Sequence, residues 1–474
     1  MTRSRAFAAA TLGARLIVGA SVAVGAVALV GAAVFTPWRP VVTTPLALDE
    51  RPAAADVTLA CAGGILVGGR TSVDASAIDV AAAATTIAGA PAIAAGGAGP
   101  EVTALVTPDV QGELGALSYI EAPSADAPAQ LAAATSSVVE ADDIRGLAAA
   151  GCTPPLSESW LVGGASTTGR AGFVQLGNPS AVAATVSLTA FTAAGASTAD
   201  GGAGTVIVVP PRAQRVVPLA GLAPHADNPV VRVTAQGAPV TATLQSSWIR
   251  TITPSGVDVQ TSIALPSARQ VIPGVVVPAG PADELPDAVT TVVRVLAPAS
   301  AGEARVTVAT GVDAPALAPI SVPMEAGVPV DLELPRLPAG SYSITVEASV
   351  PVVAAARQAT QAGPGGDYAW HAAAPAIAVP SLFAVTGGGA PTLHVTSAGA
   401  PATVTVTPPN GRAIALALTA GGTATLALPG TGVYAIDAGG VVLHASVSLV
   451  AEGLNAAYPV WSSEALGDAV RVYP

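Results

Sequence analysis

The sequence predicts a mainly β protein: tandem immunoglobulin-like β-sandwich domains following one N-terminal transmembrane helix. Three observations carry this. One long uncharged run stands near the N-terminus, segments of five to nine residues rich in Val, Thr, Leu and Ile recur between turn signals, and three stretches read as degenerate copies of one unit.

The uncharged run is residues 16–36, LIVGASVAVGAVALVGAAVFT, 21 residues long. At 1.5 Å rise per residue it covers roughly 31 Å, about the hydrocarbon thickness of a bilayer. Arg3, Arg5 and Arg15 precede it and Arg39 follows, which places residues 1–15 in the cytoplasm and the bulk of the chain outside. A cleaved signal peptide has a shorter apolar core and a small-x-small exit. Here the core is longer, and Val34, Phe35, Thr36 and Pro37 after the small Ala32 and Ala33 make a poor exit, so an uncleaved single-pass anchor in the bilayer is the expectation and secretion after cleavage the alternative. Gly19, Gly25 and Gly31 recur every six residues, which does not stack them on one face as a four-residue dimerisation spacing does. Residues 37–57, with Pro37, Pro40, Pro45 and Pro52, read as a semi-extended stalk.

Only 11% of residues are charged, against about 25% in an average soluble domain. All 31 acidic residues but only 16 of the 19 basic ones lie beyond residue 36, so the exterior is acidic and nucleic acid is excluded as a partner. Every basic residue is arginine. Without lysine there is no Schiff-base or P-loop chemistry. Cys61 and Cys152 both fall in the extracytoplasmic part, where thiols oxidise, and neither has a CxxC or His partner nearby. One disulfide is the expected pairing.

Residues 58–270 are assigned to a first β region that holds the cysteine segment and the first immunoglobulin-like repeat, 271–365 to the second sandwich and 366–474 to the third. The repeats are visible as ATVSLTAF (184–191) through VTATLQSSW (240–248), ARVTV (304–308) through PVVAAARQA, and ATVTV (402–406) through VVLHASVSL. Gly340-Ser-Tyr342 and Gly432-Val-Tyr434 occupy equivalent places and resemble a tyrosine corner. Val404 and Val406 alternate with Thr403 and Thr405, and Ile344 and Val346 with Ser343 and Thr345, giving one buried and one wet face. Residues 129–150, rich in Ala and Leu, are expected to form one or two short helices.

The four histidines are isolated, without metal-binding spacing, and no dinucleotide, P-loop or nucleophile-elbow motif occurs, so neither metal nor cofactor is expected. His394 and His444 are expected as half-buried strand residues. Carboxylates cluster at Glu140, Asp142 and Asp143, at Asp283, Glu284 and Asp287, and at Asp331 and Glu333. A glycosidase needs two carboxylates in a sugar-lined cleft. The densest polar and aromatic patch is Asp367, Tyr368, Trp370 and His371, which is taken as the candidate binding patch.

The segment Arg145 to Cys152, Trp160-Leu-Val-Gly-Gly164, Gly169-Arg170, Leu176-Gly-Asn-Pro179, Pro273-Gly-Val275 and Asp367-Tyr-Ala-Trp370 resemble an uncharacterised actinobacterial family of large membrane-anchored or secreted proteins, a domain of unknown function. The resemblance spans most of residues 58–450. It implies a cell-envelope protein and supplies no catalytic residue. The expected function is therefore non-catalytic, a membrane-anchored extracytoplasmic scaffold or interaction protein whose partners are envelope proteins or wall glycans. The alternative is a carbohydrate-binding or carbohydrate-active protein that uses the carboxylate clusters and Trp370.

Overall fold

The computed structural model describes residues 17–32, 48–50, 55–70, 76–91, 99–124, 128–197, 204–263, 265–279, 290–310, 317–409, 411–463 and 470–472. The chain forms two compact units, Met1–Pro52 with Asp468–Pro474, and Ala53–Gly467. In the first, residues 17–32 are a helix, and Leu48–Glu50 pairs antiparallel with Val470–Val472. Among the described residues no helix is long and apolar enough to cross a membrane. Leu16 and residues 33–36 of the expected span, residues 1–15, and most of the expected stalk lie outside the described residues.

The described residues of Ala53–Gly467 are mainly β, and their strand order repeats. Gly432–Asp437, with Ser381–Val385 on one side and Ala402–Thr407 then Ile414–Leu418 on the other, forms one four-stranded sheet. Thr423–Ala427, Ala390–Ser397, Leu443–Ala451 and Leu454–Pro459 form its partner. Counted along the chain, the sheets are first–sixth–third–fourth and fifth–second–seventh–eighth. Residues 158–261 follow the same order, with one short extra strand, Gly195–Ser197. Residues 267–372 follow it too, except that the sixth and seventh strands are fused into one 20-residue strand, Gly340–Ala359. Its first half pairs with Ser267–Val277 and Gly302–Thr310, and its second half with Thr291–Leu296 and Tyr368–Ala372.

A fourth, reduced copy precedes these three. Val57–Cys61, Leu117–Glu121 and Glu101–Ala104 form a first–sixth–third sheet, and Thr85–Gly89, Ala132–Glu140 and Arg145–Gly151 a second–seventh–eighth sheet. The fourth and fifth strands are lacking, and the hairpin Ile65–Gly68 with Ile78–Ala82 is added. Cys61 and Cys152 are bonded, with Cα atoms 4.5 Å apart, and join the end of this copy's first strand to the residue after its eighth. Closing a segment of 91 residues in this way removes loop entropy from the unfolded chain, roughly 4 to 5 kcal/mol before native strain.

Residues 129–150 correct the sequence reading, because they hold the strands Ala132–Glu140 and Arg145–Gly151 and no helix. Alanine's helix propensity is a weak prior that packing overrides. Ala132, Ala134, Leu147 and Ala149 face the core of the last repeat, whereas Ala133 faces that of the disulfide region and Ala148 and Ala150 pack with Val257 and Val259. A sheet buried on both faces between close neighbours needs small side chains, and alanine supplies them.

The predicted alternation holds at Val404 and Val406, both fully buried, where each buried valine contributes roughly 2 kcal/mol. It fails at Ser343. That side chain is buried too, since its hydroxyl lies 3.1 Å from Thr396 Oγ1 of the last repeat. The two tyrosines behave as equivalents: Tyr342 donates to the Pro338 carbonyl at 2.8 Å and Tyr434 to the Gly430 carbonyl at 2.7 Å, each four residues upstream.

Candidate functional site: a buried four-strand junction

The eighth strands of the four copies meet. Arg145–Gly151 packs on Thr253–Thr261, Thr253–Thr261 on Tyr368–Ala372, Tyr368–Ala372 on Leu454–Pro459, and Leu454–Pro459 back on Arg145–Gly151. Asp367 immediately precedes the third of these strands and is 2% exposed. Its Oδ2 accepts the Leu147 amide at 2.9 Å and the Asn455 amide at 3.2 Å, and its Oδ1 accepts the Val257 amide at 3.3 Å. One carboxyl group therefore holds a backbone N–H from each of the other three copies.

Two glycines make room for it. A Cβ on Gly146 would stand 2.6 Å from Asp367 Oδ1, and one on Gly256 would stand 2.7 Å from it. Both have positive φ, 149° and 116°, where other residues are strained. Burial raises the Asp367 pKa from 3.8 to about 7, and the amides reduce that rise without cancelling it.

The candidate patch is thus an interior. Asp367, Tyr368, Trp370 and His371 are each no more than 3% exposed, so an outside ligand does not reach them in this conformation. Tyr368 donates to Ser246 Oγ at 3.0 Å, and burial raises its phenol pKa. Trp370 donates its amide to Asp258 Oδ2 at 2.9 Å, and its indole lies 4.8 Å from the Arg294 guanidinium. His371 has no hydrogen-bond partner for either ring nitrogen, and burial pushes its pKa down to about 3.

Two charged members of this interior escaped the sequence reading. Asp258 is fully buried, with its pKa raised by burial and by Asp367. An acid between two valines in a strand was the available signal. Arg294, 2% exposed, grips both oxygens of Asp331 at 2.8 and 3.0 Å and donates to the carbonyls of Gly164, Pro229 and Asp227. Its cation clamps the second full repeat onto the first.

The remaining sequence candidates are dispersed. Asp143 pairs with Arg70 at 2.6 Å and Glu140 lies 4.0 Å from Arg145, while Asp331 serves Arg294. Asp283, Glu284 and Asp287 lie outside the described residues. No group of three metal-ligating side chains occurs among the described residues. His394 is fully buried rather than half-buried, bonded to Ser448 Oγ at 2.8 Å, with its pKa lowered by burial to about 4. His444 is half-buried as expected and faces the Ala374 carbonyl. Cavities of about 350 Å³ beside Ala104–Leu117 and about 270 Å³ beside Arg269 and His444 include neither Asp258 nor Asp367 in their walls.

Several quoted motifs have packing explanations. Asn178 donates to the carbonyls of Val182, Val209 and Pro210 and accepts from the Ser180 amide and hydroxyl, which fixes the turn after its strand. A Cβ on Gly274 would meet the His394 ring and Ser446 Oγ at 2.5 Å.

Fold and site together define a repeat-built, mainly β protein whose copies are fastened through a common buried centre. The chain matches the family of unknown function DUF5719 over residues 106–429 and belongs to that family. No curated protein matches it.

Proposed function

We propose that this chain is a non-catalytic, membrane-anchored scaffold or interaction protein of the bacterial cell envelope, made of immunoglobulin-like sandwiches and held by a single N-terminal span. The observation that carries the reading is the helix 17–32. Its Ile17, Val18, Val22, Val24, Val27, Leu29 and Val30 side chains are each 63% to 74% exposed, on all sides. A helix apolar all round calls for an apolar solvent, and the uncharged sequence run that contains it, residues 16–36, has the length a span requires. The Cys61–Cys152 bond supports an oxidising compartment. The arginine-only, Ala- and Gly-rich composition supports an actinobacterial, high-GC source. On this reading the acidic β array stands outside the membrane, where envelope proteins or wall glycans meet it.

Membrane fractionation with mass spectrometry of the N-terminus tests this. An intact N-terminus in a carbonate-resistant membrane fraction is expected, whereas a mature N-terminus between residues 32 and 40 would make the protein secreted. Proximity labelling from the C-terminus then names partners. The rival carbohydrate reading requires that Trp370→Ala abolish retention on a glycan array, and full retention by that variant removes it.

A further inference from the structure

Trp248 closes the seventh strand of the first full repeat, Thr241–Arg250, and three arginines converge on it. The Arg250 guanidinium lies 3.5 Å from the ring centroid, that of Arg170 3.6 Å and that of Arg357, from the fused strand of the next repeat, 5.5 Å. Arg70, Arg145, Arg215, Arg232, Arg269 and Arg294 each have a carboxylate within 4.0 Å, but these three have none among the described residues. Arg250 donates to the Gly363 carbonyl at 2.8 Å. The Nε atoms of Arg250 and Arg357 are buried without a partner. Asp227 and Asp331 act on the cluster only at longer range, and Asp331 is already held by Arg294.

Scarcity does not explain the missing acid, since the chain carries 31 acidic residues against 19 arginines. Stacking on an indole softens a cation's desolvation but does not neutralise its charge. Burial, reinforced by neighbouring guanidinium charges, lowers the pKa of Arg250 and of Arg357 to about 10, which still leaves both charged at neutral pH. All three arginines keep part of their surface in solvent.

We propose that the Arg170, Arg250 and Arg357 cluster around Trp248 is a binding site for a phosphate-type dianion. Three unpaired cations call for more than one negative charge, and guanidinium forks match the oxygens of a phosphate two at a time. The anion bridges two repeats through the part of these arginines that solvent reaches. The site is independent of the anchor reading.

Calorimetric titration of the detergent-solubilised full chain at fixed ionic strength and neutral pH tests it, with inorganic phosphate, glycerol 3-phosphate and acetate as probes. Saturable phosphate binding is expected, at least tenfold weaker in Arg170→Gln and in Arg357→Gln and unchanged in Arg305→Gln, a control at an exposed arginine elsewhere. If Arg357→Gln does not fold, Arg170→Gln carries the comparison. Tighter binding of glycerol 3-phosphate marks a phosphate ester as the ligand, and tighter binding of inorganic phosphate the free ion. Absence of saturable binding, equal affinity in all variants, or acetate binding as tightly as phosphate overturns the proposal.

Discussion

Around Asp367 one acidic group meets three backbone amides from three other repeats, whereas around Trp248 three cations share an indole and pair with no acid among the described residues. Both sit where repeats touch. At the first, the backbone itself supplies the partners, so every polar contact of that carboxyl is internal and its role is to fasten. At the second, cations are left without an acid, and cations that keep part of their surface in solvent are what an external ligand would use. Buried charge by itself therefore does not mark a site; the Asp367 carboxyl is satisfied and sealed, whereas the Trp248 arginines lack an acid and keep part of their surface in solvent.

The largest expected effect breaks the first region. Asp367→Ala orphans the amides of Leu147, Val257 and Asn455 and is expected to cost roughly 5 kcal/mol in urea unfolding, at about 1 to 3 kcal/mol for each unpaired group. A loss below that of an ordinary surface substitution would remove the fastening role.

The second prediction concerns pH. The Asp367 pKa is raised from 3.8 to about 7, so the folded chain keeps a proton that the unfolded chain releases. This stabilisation is fully present below the unfolded pKa and is lost as pH rises from about 4 to 7, roughly 4 kcal/mol in all. His371 and His394, lowered from 6.5 to about 3 and about 4, act in the opposite sense, costing stability as pH falls from 6.5 toward 3. Unfolding of Asp367→Asn across this range is expected to show a smaller loss between pH 4 and 7 than the unaltered chain, and an unchanged slope there contradicts the assignment.

Gly256→Ala tests the room around the same carboxyl. Its Cβ meets Asp367 Oδ1 and the Tyr368 ring at 2.7 and 2.6 Å with φ at 116°, so a loss of roughly 3 kcal/mol is expected by thermal melting. Tyr342→Phe and Tyr434→Phe each remove one hydrogen bond and are expected to cost about 1 kcal/mol apiece. Smallest is Arg357→Gln in the absence of any anion. Relief of repulsion offsets lost packing there, and the melting temperature is expected to move by less than it does in either tyrosine variant.

Much of the fold was legible because it rests on local periodicity. Val404 and Val406, the paired Gly-x-Tyr segments and the three repeats are all visible as strings. The reduced first copy was not, since two of its strands are lacking and its alanines mimic a helix. The junction was half legible. Asp367 and Trp370 stood out by composition, yet Asp367's partners are backbone amides, which carry no side-chain signature at Leu147, Val257 or Asn455. The Trp248 cluster draws on residues 170, 250 and 357, whose nearness arises only when the sheets stack.

The closing of the first copy onto the last sets a timetable. Asp367 binds an amide 220 residues upstream and another 88 residues downstream, so the centre cannot form until nearly the whole array is present. A chain made from its N-terminus holds Ala132–Gly151, apolar on both faces, without its final cover until Leu454–Pro459 emerges. Such late, long-range closure makes folding slow and leaves an apolar sheet waiting in the meantime. The second copy covers one of its faces in the finished fold, through Ala148 and Ala150 against Val257 and Val259, and needs no later strand to do so.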